Sequence, residues 1–81
     1  MEQHKLLEEF TKALTGRNLT EVLESKVNSY LGNNNMTRGK LIESIALNAG
    51  VHSSTINAIL KGKIKKPPRK RLESFASILS Q

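Results

Sequence analysis

The sequence predicts an all-α domain of five short helices, and three observations carry that expectation. Apolar residues recur at the 3.6-residue period of a buried helix face in five separate segments. Glycine, an asparagine run or a proline pair separates these segments from one another. The aromatic residues are confined to Phe10, Tyr30 and Phe75, so the core must be made mainly of Leu, Ile, Val and Ala, a composition suited to short helices packed together. At 81 residues the chain is long enough for one domain, 1–81, and too short for two.

The first helical pattern covers residues 2–15, where Leu6, Leu7, Phe10, Ala13 and Leu14 share one face. Gly16 is expected to take the left-handed position that stops it. Asn18 with Glu21 makes an asparagine variant of the capping box and opens a second helix. Its apolar face holds Leu19, Val22, Leu23, Val27, Tyr30 and Leu31, and Gly32 is expected to end it. The remaining four helices would make a thin core. Residues 2–15 are therefore expected to pack on the 19–31 helix through Leu6, Phe10 and Leu14, or to serve as a dimer surface.

Asn33, Asn34 and Asn35 tolerate turn conformations and form the next loop. Thr37 is a good N-cap for a third helix, with Met36 and Leu41 placed as a hydrophobic staple. That helix buries Leu41, Ile42, Ile45, Ala46 and Ala49, and Gly50 breaks it. A fourth helix follows after about two residues; it carries Ile56, Ile59 and Leu60 and ends at Gly62. Pro67 and Pro68 forbid continuation but suit the opening of a last helix, 68–79, which turns Leu72, Phe75, Ala76 and Leu79 inward. No segment reads as a strand.

Charge is distributed unevenly. Residues 1–35 carry four basic and five acidic side chains, whereas residues 36–81 carry nine basic and two acidic ones. Within 61–71 lie Lys61, Lys63, Lys65, Lys66, Arg69, Lys70 and Arg71, with no acid among them. Such a tract repels itself unless an anionic partner or counterions neutralise it. A solvated loop or a sorting tract would carry the same charge, so the tract alone does not decide between these and a polyanion.

The segment 45–62 is more specific. Ala46 is small enough to let one helix lie close to the next, and Gly50 allows the positive φ that a sharp three- to four-residue turn needs. Val51 plugs the inside of that turn, and Ile56, Ile59 and Leu60 continue the buried stripe. Ser53, Ser54, Asn57, Ala58 and Lys61 are left on the outer face of the second helix. Over residues 41–79 this pattern resembles the helix-turn-helix domains of phage repressor and Cro proteins, the XRE-like or lambda-repressor-like family. The resemblance implies sequence-specific binding of double-stranded DNA, with the 53–61 helix in the major groove, in a transcriptional regulator of phage or bacterial type. It further implies Ser53, Ser54, Asn57 and Ala58 as base-facing residues, and Lys61, Lys63, Lys65, Lys66 and Arg69 as phosphate contacts.

Three departures from the family pattern stand out. His52 occupies the position where Ser or Thr usually caps the second helix. The reading face has no Arg or Gln, so only Asn57 could pair bidentately, with adenine. An extra helix precedes the motif, where family members often add helices after it.

Other functions find little support in the residues. His4 and His52 have no cysteine or carboxylate at metal-site spacing, so neither a metal nor a cofactor is expected. Ser53 and Ser54 lack a base and an orienting group, and no phosphate-cradling glycine loop occurs, so the chain is not expected to be an enzyme. Nothing in the residues marks a small-molecule ligand. The basic tract could touch anionic lipid, but it has no adjacent apolar face to insert and is broken by Pro67-Pro68. With no cysteine, no apolar run near ~20 residues and no signal core, a soluble cytoplasmic protein is expected. The alternative to DNA binding is a protein-interaction or assembly module on the same scaffold.

Overall fold

The computed structural model describes residues 2–81, which form five helices and no strand. They are α1 (Gln3–Gly16), α2 (Leu19–Asn33), α3 (Arg38–Ala49), α4 (Ser53–Leu60) and α5 (Arg69–Leu79). The all-α expectation holds, and each helix lies within a few residues of its predicted place.

The central helix is α5. It packs against α1 on one side and α3 on the other, and also touches α2, while α4 rests on α3 and α2. Phe75 and Phe10 are fully buried, together with Leu23, Val27, Leu41, Ile45 and Ile56. The leading helix is thus part of the core: Leu6, Phe10 and Ala13 are buried and Leu14 is half-buried. Its partners are α2, as expected, and α5, which no local signal indicated. Because α5 is flanked on two sides, its buried face is wider than the apolar stripe and takes in Ser74. The Ser74 hydroxyl is satisfied by donating to the Lys70 carbonyl, 3.2 Å away. Ala49, expected inside, is half-buried.

Helix ends follow local chemistry, with three corrections to the expectations. Thr37 caps α3 as expected, its hydroxyl accepting from the Lys40 N–H at 3.2 Å. At the end of α1, however, the left-handed residue is Arg17 (φ 63°) and Gly16 is still helical. The Arg17 N–H donates to the Leu14 carbonyl and the Asn18 N–H to the Ala13 carbonyl, the paired bonds of a Schellman ending. This sets the backbone of Asn18 (φ −120°, ψ 26°), so its side chain makes no cap bond and the expected capping box does not form. At the end of α2, Gly32 stays helical and the chain turns after Asn33. The Asn34 side-chain amide then donates to the Tyr30 carbonyl at 2.8 Å, satisfying one of the terminal acceptors.

Between α3 and α4 lie only Gly50, Val51 and His52. Gly50 takes φ 70°, and the Val51 N–H donates to the Ala46 carbonyl at 3.0 Å, so α3 also ends in a Schellman arrangement. A Cβ added at Gly50 would meet nothing within 4 Å, so the need for glycine is one of backbone conformation alone. Gly50→Val is therefore expected to destabilise the domain by more than ~1 kcal/mol, because a β-branched residue is strained at positive φ. Gly50→Asn should be less destabilising, since asparagine tolerates this region. Thermal melts of the two variants check this, and an unchanged melting temperature for valine would contradict a strained turn at this position.

Candidate nucleic-acid interface

The outward side of α4 carries the residues that the sequence led one to expect as base-facing. Ser54 is exposed, while Ser53, Asn57 and Ala58 are half-buried and reach solvent. The helix starts without a side-chain cap at His52. Ser53 lies in a shallow depression with Glu43, Ala46, Leu47 and His52, at the junction with α3.

The lysine loop is tied to the other end of α4. The Lys63 N–H donates to the Ala58 carbonyl at 2.9 Å, and the Ile64 N–H reaches the same oxygen at 3.4 Å. Ile64, an isolated apolar residue among lysines, packs half-buried against the core and anchors the loop. Gly62 takes φ 77°, and a Cβ there would come within 3.2 Å of the Thr20 hydroxyl, so the loop lies tightly on the first turn of α2. Pro67 is buried. The loop backbone is held at several points, while Lys61, Lys63, Lys65 and Lys66 all remain exposed.

These cations are uncompensated. Ion pairs among the described residues join Lys26 to Glu9, Arg38 to Glu24 and Arg69 to Glu73, and the His4 imidazole lies 3.0 Å from the Glu8 carboxylate. Arg69 is thus the one cation of the 61–71 tract with a carboxylate partner among the described residues, and the contact is loose at 3.8 Å between exposed groups. Arg69, Lys70 and Arg71 also form the first turn of α5, a turn that contains no acid. Positive side chains at the positive end of a helix repel its dipole, an arrangement that an approaching anion relieves.

The structure groups the predicted phosphate contacts unequally. Lys65 and Lys66 share one cleft with Arg17, while Arg69 lines a separate one with His4, Leu7, Glu8, Thr11 and Lys12 on α1. Arg17 and Thr20, brought to the lysine loop by the α1–α2 turn, were not among the expected site residues. Their distance along the chain from the loop leaves no mark in the sequence. The one local hint was an arginine directly after the glycine expected to stop α1.

Among the described residues there is no cluster of three or more metal-ligating side chains. No helix among them is long and apolar enough to cross a membrane. In comparisons with protein-family models, curated proteins and solved structures, the chain matches none.

Proposed function

We propose that this chain binds double-stranded DNA as a helix-turn-helix protein and regulates transcription, with α4 in the major groove and the lysine loop on the phosphates. The observation that carries the reading is the loop tied back to the Ala58 carbonyl, which sets exposed lysines at the end of a helix with a short polar face. An α-helix with its side chains is about 10–12 Å across, and the major groove, about 12 Å wide, admits one. Three-residue spacing and positive φ at Gly50 agree with the turn of that motif. Seryl and alanyl side chains reach few base atoms. Discrimination therefore rests on Asn57, with DNA shape or a second copy supplying the remainder.

Salt-dependent anisotropy titrations with a selected site and a scrambled duplex test the proposal. Asn57→Ala should leave binding to scrambled DNA unchanged and cost ~1–3 kcal/mol on the preferred site, if that amide pairs with adenine.

One observation favours the second reading, a protein-interaction or assembly module. Leu47 on α3 is 84% exposed, beside half-buried Val51, where an apolar partner could cover both. Failure of every duplex to bind more tightly than ~100 μM at low salt would make that the better reading, because a basic protein's non-specific affinity normally reaches roughly 10⁻⁴–10⁻⁶ M.

A further inference from the structure

The turn after α1, the first turn of α2 and the lysine loop enclose a cleft of about 430 Å³ lined by Leu14, Arg17, Leu19, Thr20, Lys65 and Lys66. We propose that it is a binding site for a small phosphate monoester carrying a short aliphatic group. Three cations from two distant segments line one cleft, no carboxylate lines it, and none of the three has an acidic partner among the described residues. A dianionic phosphate suits such a set: the guanidinium offers a planar pair of donors, the ammonium groups add charge, and the Thr20 hydroxyl supplies a neutral donor.

The cleft is larger than a lone phosphate needs, and its remaining wall is Leu14 and Leu19. These two leucine side chains are the apolar surface that an aliphatic group on the phosphate would cover. Arg17 supplies the most telling detail. It stands at φ 63°, at the helix-ending position that favours glycine, although Gly16 is its immediate neighbour. The Schellman bonds at the end of α1 hold this backbone, and they bring the Arg17 side chain to the lysines of the cleft. The site is complete without a duplex and does not rest on the DNA reading. Lys65 and Lys66 belong to both, so a bound monoester would exclude the DNA backbone from these two lysines.

The test uses the full chain and three probes: n-hexyl phosphate, inorganic phosphate and hexanol, each titrated by calorimetry and by amide chemical shifts. Hexyl phosphate is expected to bind at least tenfold more tightly than inorganic phosphate, with hexanol silent and the largest shifts at Arg17 and Thr20. Arg17→Gly should weaken hexyl phosphate at least tenfold while the melting temperature stays equal or rises, because glycine relieves the positive φ. Lys65→Ala, at an exposed loop position, should weaken it in the same direction. Equal affinity for inorganic and hexyl phosphate would overturn the aliphatic part and leave a site for any phosphate, a DNA phosphodiester included. Unchanged hexyl phosphate binding in a folded Arg17→Gly protein would overturn the site altogether.

Discussion

Phe75→Ala is expected to destabilise the domain by about 3–5 kcal/mol, the range for removing a fully buried aromatic ring from a core. Marginal stability of about 0.05–0.15 kcal/mol per residue places the whole domain near 4–12 kcal/mol, so the loss is about a quarter of the total or more and abolishes folding only at the low end of that range. The effect is large because α5 is the helix on which α1, α2 and α3 all pack. Urea unfolding checks it: the midpoint should fall with little change of slope. Leu47→Ala, at an 84% exposed position, should change stability by less than ~0.5 kcal/mol and serves as the control. Equal effects at the two positions would contradict the central place of α5.

The second large effect concerns binding. Replacing Lys63, Lys65 and Lys66 together by alanine should weaken every duplex alike, by up to on the order of 10²-fold near 0.1 M salt. The slope of log K against log salt should fall by roughly 0.9 for each phosphate that the protein no longer neutralises. All three side chains are exposed, so the melting temperature should barely move, which separates weakened binding from unfolding. A triple variant that bound random DNA as tightly as the parent, with the same salt slope, would remove the loop from the interface. Discrimination between duplexes would then have to come from α4 alone, a face with a single bidentate side chain in Asn57.

What could be read from the residues divides along a physical line. Features set within one helical turn were legible: the Thr37 cap, the positive φ at Gly50, and the buried stripes of α3 and α4. Such features depend on residues three or four apart, and their chemistry is written locally. The end of α1 was misplaced by one residue because Gly16 and Arg17 compete for one backbone position, and the Ala13–Asn18 bond decides it. Asn18 illustrates a further limit. With only two residues between helices, its backbone completes α1 and cannot also aim a side chain at α2. The pairing of α1 with α5 and the meeting of Arg17 with Lys65 join segments far apart in sequence, and no local signal records them. Ile64 falls between these cases: one apolar residue among lysines was visible, and of the two roles open to it, packing under the loop or meeting a partner, the fold realises the first.

The packing of α1 on α5 has a consequence for how the molecule comes into being. During synthesis Phe10 is made long before Phe75, and at about 5–20 residues per second the interval between them is several seconds. Throughout that time the apolar face of Leu6 and Phe10 lacks one of the two helices that cover it. Closure of the core joins residues far apart in the chain, so the part of the α1 face that packs on α5 stays uncovered until α5 is made. A chain interrupted before α5 would keep that face open, as exposed apolar surface of the kind that promotes aggregation. Completion of the basic tract and completion of the core come almost together, because Arg69, Lys70 and Arg71 begin the same helix that ends the exposure. The charge that would let this protein engage a polyanion is therefore added to a chain only as it becomes able to fold.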